Sequence, residues 1–193
     1  QVDGLERFAT RDELLVACNA SYLTNGVASF AGVPDASVDF IFSHAVLEHI
    51  SRGDFAHLAS EMRRILKPGG MASHEVDLKD HLGGNLNNLR FSERVWESDF
   101  MTRSGFYTNR IRFHEMLEYF RRAGFDCEVL RTVRFTSVRP PRADMAKPFR
   151  EMSEDDLFVS DFDGVLRCSG WESPYRYPYP RETGTVNSGN NVF

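Results

Sequence analysis

No apolar run in this chain approaches the eighteen or so residues that cross a bilayer, and its first residues lack the positive flank and short apolar core of a secretory signal. Contact with a membrane is therefore not expected. Cysteine is scarce as well. Cys18, Cys127 and Cys168 are odd in number and show no C-x-x-C spacing, which excludes a disulfide framework and fits a reduced, cytoplasmic protein. Positive charge is in deficit, with 23 Lys and Arg against 28 Asp and Glu and a net charge of −5. A general nucleic-acid binder needs a basic surface, so no nucleic-acid partner is expected. Internal repeats are absent too.

What is present is the composition of a globular domain, 41% hydrophobic and 26% charged. At 193 residues the chain is long enough for one core and too short for two ordinary ones. Residues 1–170 read as one α/β domain. From 171 onward Pro, Tyr, Ser, Asn and Gly dominate, so Trp171 to Phe193 reads as an extended or disordered tail.

The most informative stretch is Ser37 to Leu78. Val38, Phe40, Ile41 and Phe42 form a short run of β-formers, as in a strand covered on both faces. Asp54 is placed to cap a helix whose apolar residues Phe55, Leu58, Ala59, Met62, Ile65 and Leu66 share one face. Arg63 and Arg64 read as its solvated side. Lys67-Pro68-Gly69-Gly70 should end the helix in a turn, with Met71 to Leu78 as the next strand. A strand, a helix and a strand make a parallel crossover, whose ligands sit beyond the carboxyl ends of the strands. Those ends carry Ser43, His44, Glu48 and His49, and then His74 to His81.

The motifs S-V-D-F-I-F-S-H-A-V-L-E-H-I and E-M-R-R-I-L-K-P-G-G resemble the second half of a class I S-adenosylmethionine-dependent methyltransferase of the type 11 kind, where they end the fourth strand and lead into the fifth. The resemblance continues loosely to Gly124-Phe125 and covers roughly half the chain. It implies a Rossmann-like sheet keeping strands four, five, seven and six, the seventh antiparallel. The family's Gly-rich loop, near E/D-x-G-x-G, is missing, as is the acidic residue that would hold the ribose. Gly4, Gly26 and Gly32 stand alone, and far fewer residues precede the fourth strand than in the family. The sheet is thus expected to be truncated at its amino-terminal side. The chain reads as a fragment of a longer product, as a degenerate homologue, or as one half completed by another subunit. Alone, it is expected to bind the cofactor weakly or not at all.

By the resemblance, Ser43, His44 and Ala45 would line the S-adenosylmethionine pocket, and Asp77 and His81, just after the fifth strand, would meet the acceptor. Glu48 or His49 would face the acceptor, and His49 is a candidate general base. The alternative is that Glu48-His49 only braces the helix start. His49, His74, Asp77 and His81 lack metal-site spacing, and no metal is expected. The implied reaction is methyl transfer to oxygen or nitrogen of a small, sugar-derived acceptor; the alternatives are a non-catalytic interaction domain and an unrelated α/β nucleotide-binding domain. An unpaired fourth strand would leave Val38 to Phe42 as an edge prone to homodimerisation.

Elsewhere the elements are shorter. Thr10 to Glu13 forms a capping box ahead of a short helix, and Val27 to Phe30 reads as a strand. Lys79 to Asn109 reads as a long loop with one short helix near Ser92 to Trp96. Its Asn85, Arg90 and Trp96, with Tyr107, Asn109, Arg110 and Arg112, are placed either to grip a polar acceptor or to lie in solvent. Thr108 or Asn109 should start a helix through Phe120, followed by a strand over Cys127 to Val138. Ser153 should cap a helical turn, and Phe158 to Cys168 should be a strand interrupted at Asp163-Gly164.

Overall fold

Apolar periodicity and turn chemistry turn into eleven helices and strands in a computed structural model, which describes residues 7–170. In chain order they are α1 (Arg11–Ala17), β1 (Val38–His44), α2 (Arg52–Ile65), β2 (Leu66–Asp77), α3 (Glu93–Trp96), α4 (Asp99–Thr102), α5 (Phe113–Arg122), β3 (Phe125–Arg134), α6 (Lys147–Arg150), α7 (Glu154–Phe158) and β4 (Val159–Cys168). The expected tail, 171–193, lies outside the described residues.

The four strands form one sheet in the order β1-β2-β4-β3. β1 and β2 run parallel, whereas β4 is antiparallel to both β2 and β3. This is the expected four-five-seven-six order with its reversed seventh strand. The fold is mixed α/β, built on this four-stranded sheet. Helices α2 and α5 pack on one face, where Phe55, Leu58, Ala59 and Met62 meet Ala72, Val76, Met116, Phe120, Phe162 and Leu166. Each large apolar side chain buried there contributes about 1.5–3 kcal/mol.

The other face corrects the expectation that β1 is covered on both sides. α2 and α5 lie on the same side, so Phe40 and Phe42 stay 52% and 75% exposed, their rings stacked at 6.5 Å. Beyond them the open face carries charge: His44 Nδ1 lies 3.0 Å from Glu75, and Arg131 Nε donates to Asp163 at 2.7 Å. Among the described residues β1 pairs only with β2, so it is a sheet edge.

Several local readings are corrected. Ser51, not Asp54, caps α2: its hydroxyl accepts the Asp54 N–H at 3.1 Å, leaving the Asp54 carboxylate in the positively polarised first turn. Lys67 to Gly70 make no turn before β2 but a bulge inside it, because the pairing steps from Val38–Leu66 to Phe40–Met71. Gly69 adopts φ +85°, and a Cβ on Gly70 would stand 3.0 Å from the Asp39 carbonyl oxygen. Both positions therefore need glycine. Val27 to Phe30 lies in a 3-10 helix over Gly26–Gly32 rather than a strand. Arg64 is not solvated; it donates to the carbonyls of Phe30 (2.7 Å) and Val33 (2.9 Å) and ties that segment to α2. The irregularity expected at Asp163-Gly164 sits in the partner strand, where Leu130 is the extra residue between the Val129–Gly164 and Arg131–Asp163 pairs. The capping box at Thr10 and the Ser153 cap form as expected.

The stretch after β2 is not a solvated loop. The buried Asp80 carboxylate accepts the backbone N–H groups of Leu82 (2.9 Å), Asn85 (3.3 Å), Asn88 (3.2 Å) and Asn87. Leu86 and Leu89 pack with Met145, Phe149 and Leu157 in a second apolar cluster. Helix α5 starts at Phe113 rather than at Thr108, because Tyr107 to Arg112 is a buried irregular run.

Candidate functional site

The parallel pair β1–β2 opens at its carboxyl end, and the chain builds a polar pocket wall there. After His44, Ala45 turns left-handed at φ +49° while its N–H still donates to the Glu75 carbonyl at 3.0 Å. For an alanine that conformation costs about 1–2 kcal/mol, a strain of the sort stored where geometry is demanded by function. The turn leads into a 3-10 helix over Leu47–His49, whose Leu47 and Glu48 are buried.

Asn109 holds this turn. Its backbone N–H donates to the Glu48 carbonyl (2.7 Å), and its amide Nδ2 donates to those of Leu47 (2.8 Å) and Ile50 (2.9 Å). Three bonds from one buried residue fix where Glu48 and His49 point. The surrounding wall is equally committed. Trp96 Nε1 donates to the Thr108 carbonyl at 2.7 Å, and Tyr107 donates its hydroxyl to Glu97 at 2.8 Å.

Three residues singled out from sequence, His49, Asp77 and His81, come together here, with Glu48 as a fourth. The His49 and His81 rings lie 5.0 Å apart, and His49 Nε2 is 3.8 Å from Glu48 Oε1. His49 Nδ1 lies 3.2 Å from the Tyr107 carbonyl oxygen, and His81 Nδ1 lies 3.2 Å from that of Gly105. A carbonyl can only accept, so each Nδ1 donates, and in the neutral ring Nε2 is then the acceptor nitrogen. Asp77 accepts from the Lys79 backbone N–H at 2.8 Å and lies 3.0 Å from Lys79 Nζ, which also binds Asp161.

Glu48 is 3% exposed, and its Oε2 has no hydrogen-bond partner. Burial raises its pKa to about 7; nearby Asp77 pushes in the same direction, while its own and the Asp77 backbone N–H groups and His81 pull the other way. A carboxyl poised near neutrality beside two imidazoles is a proton-handling group. The sequence offers Glu48 or His49 as the residue that faces the acceptor, but it does not show that Glu48 is buried. The available signal was its place directly after Leu47 on a turn that had to be buried.

Ser43, His44 and Ala45 do not converge. Ser43 Oγ lies on the helix-covered face, 2.8 Å from His74 Nδ1, while His44 faces the opposite side and pairs with Glu75. Burial pushes the His74 pKa down to about 4, and its ring lies parallel to Phe120 at 6.0 Å. The Ser43 hydroxyl is therefore committed to His74, and only backbone at Ser43–Ala45 is free to meet a ligand. No strand ending in a glycine pair exists among the described residues, so these residues do not by themselves fit S-adenosylmethionine. Arg110 and Arg112 are not anion clamps either. Arg110 donates to the Phe91 carbonyl (2.7 Å) and stacks over Trp96 and Phe149. Arg112 is buried and donates to the carbonyls of Leu78 (2.7 Å), Leu157 (3.0 Å) and Val159.

Among the described residues no group of three or more His, Cys, Asp or Glu is arranged to hold a metal, and no helix is long and apolar enough to cross a membrane. A depression of about 520 Å³ bordered by Asp35, Arg63, Arg64, Pro68 and Cys168 lies at the opposite, amino-terminal end of β1, away from this cluster.

A family model described as a methyltransferase domain matches residues 5–73, which span α1, β1, α2 and β2 as far as Ser73. The resemblance drawn from the Ser37 to Gly70 motifs falls within this match. No curated protein matches the chain. Among solved structures, an arsenic (III) S-adenosylmethionine methyltransferase from Chlamydomonas reinhardtii is similar at 19% identity and TM-score 0.45, over 79% of this chain and 46% of that one. An S-adenosylmethionine-dependent methyltransferase from Mesorhizobium loti is similar at 18% identity and TM-score 0.40, over 70% and 64%. DhpI, solved as a complex with SAH, is similar at 16% identity and TM-score 0.40, over 78% and 55%. The chain thus spans roughly half the length of these structures.

Proposed function

We propose that this chain is the acceptor-side half of an S-adenosylmethionine-dependent methyltransferase, working within a longer protein on an oxygen or nitrogen of a small acceptor, sugar-derived acceptors included. The observation that carries the reading is the convergence of Glu48, His49, Asp77 and His81 beyond the carboxyl ends of β1 and β2, where open α/β sheets bind ligands. The cofactor supplies the methyl group. This chain's residues act on the acceptor. His49, with Nδ1–H fixed on the Tyr107 carbonyl, presents Nε2 to take the acceptor's proton. His81 presents a second basic nitrogen, and Asp77 adds negative charge on the same side. Backbone at Ser43–Ala45 borders the cofactor side.

The test is transfer of tritium from methyl-labelled S-adenosylmethionine, at high concentration, to pooled small alcohols and amines. Labelled product that falls at least tenfold in His49→Ala supports the reading; labelling unchanged in His49→Ala and Asp77→Asn together would remove it. We further propose that copies associate through the β1 edge, since Phe40 and Phe42 stand exposed beside unpaired strand backbone. Light scattering behind a sizing column should show a dimer that Phe42→Lys returns to monomer. A wild-type monomer at high concentration would refute it.

A further inference from the structure

The polar groups that meet at this site are almost all acceptors. Glu48 Oε2 is buried without a partner, and with their Nδ1 protons on the carbonyls of Tyr107 and Gly105 the neutral rings of His49 and His81 offer Nε2 as acceptor. The Asp77 carboxyl pairs with Lys79 and lies near enough to Glu48 to push its pKa up. The nearby cations are committed. Lys79 binds Asp77 and Asp161, Arg112 binds four carbonyls, and Arg110 binds the Phe91 carbonyl and lies beside Glu97. Asn109 has both Nδ2 protons on the Leu47 and Ile50 carbonyls. Arg110 Nε and Arg112 Nε lack partners but are buried, so a carboxylate or phosphate on the acceptor would find no exposed arginine donor here and would face two carboxylates. A group bearing several N–H donors and a positive charge would find a partner for each.

We propose that this site binds the protonated primary amine of a small acceptor, with Glu48 Oε2 as its ionic partner and the Nε2 atoms of His49 and His81 as its remaining acceptors. The inference deepens the methyl-transfer reading and rests on it for the word acceptor. Binding requires the exposed His81 ring, which lies 5.0 Å from that of His49, to swing outward so that the buried carboxyl meets the ligand. The groups facing Glu48 are His49 on its own turn, Asp77 at the end of β2, and His81, with Lys79 behind Asp77. Because the carboxyl ionises near neutrality, amine binding should strengthen as the pH rises through that point.

The experiment is a nuclear magnetic resonance titration of the full chain, following the Glu48 side-chain carboxyl carbon and the imidazole nitrogens of His49 and His81. The probes are ethylammonium chloride, sodium acetate and inorganic phosphate, without cofactor. The expected result is a saturable ethylammonium response at all three residues, at least tenfold tighter above neutrality than about two pH units below it. Acetate and phosphate should leave these signals in place, and Glu48→Gln should weaken ethylammonium at least tenfold. Should that variant fold poorly, the wild-type pH dependence alone decides. An acetate or phosphate response at these residues, or ethylammonium binding that is flat with pH, would overturn the proposal. Amine binding with label transfer unchanged in His49→Ala and Asp77→Asn would remove only the methyltransferase reading, and transfer to hydroxyl acceptors without amine binding would remove only this inference.

Discussion

Replacing Glu48 by Gln should make the protein more stable, and only above mildly acidic pH. The Glu48 carboxyl is 3% exposed, and burial lifts its pKa from 4.5 to about 7. The folded state therefore keeps a proton that the unfolded chain gives up across that window. Stability falls as the pH rises from 4.5 to about 7, and the full effect is about 3 kcal/mol. Glutamine has nearly the same shape and no charge, and its amide can donate toward Asp77. Urea unfolding should show Glu48→Gln more stable than wild type by up to about 3 kcal/mol at about pH 8, with the advantage shrinking toward zero near pH 4.5 and the slope m unchanged. A variant that is less stable than wild type at the higher pH, or an advantage equal at both, would refute the reasoning. The site would then not be holding a strained carboxyl in readiness for a ligand, as functional sites commonly do at a cost in stability.

Other perturbations probe the same framework. His74, pushed down to about pH 4 by burial, acts with the opposite sign: the unfolded chain takes up a proton below about pH 6.5 that the folded state refuses, so stability is lost as the pH falls from 6.5 toward 4. The two groups offset each other between about pH 4.5 and 6.5, and Glu48→Gln should unmask an acid loss that His74→Leu abolishes; circular dichroism melts across that range read both. Arg112→Met strands the carbonyls of Leu78, Leu157 and Val159 and should lower stability by about 3–5 kcal/mol, seen as a drop in the urea midpoint. Ala45→Gly relieves the left-handed alanine and should raise stability by about 0.5–1 kcal/mol, after the glycine's larger unfolded-state entropy is taken off.

The crossover from β1 through α2 to β2 was legible because its signals are local: a run of β-formers, a helical stripe from Phe55 to Ile65 and a glycine pair. The strand order came from the family resemblance, since nothing in β3 or β4 alone says which neighbour each pairs with. The segment from Lys79 to Arg112 was misread for a physical reason. Asp80, Asn88, Asn109, Arg110 and Arg112 are polar by type, and their burial depends on partners far along the chain, such as the Leu157 carbonyl for Arg112. Sequence polarity predicted solvent; long-range hydrogen bonding put them inside. That Glu48 is buried and raised toward neutrality is likewise not legible in sequence, because its burial and the approach of Asp77 depend on the sheet. Phe40 and Phe42 were read as core because they are apolar, and only the placement of α2 and α5 on one face shows them open.

The central claim is that the carboxyl end of β1 is the edge of a cofactor site. It is tested most directly by following backbone amide resonances while S-adenosylhomocysteine is added to the chain. The account predicts saturable shifts at Ser43, His44 and Ala45 with a dissociation constant on the order of millimolar, as expected where one wall of a site acts alone. Shifts confined to the depression around Asp35, Arg63 and Arg64 at the other end of the sheet, with those three amides silent, would contradict it.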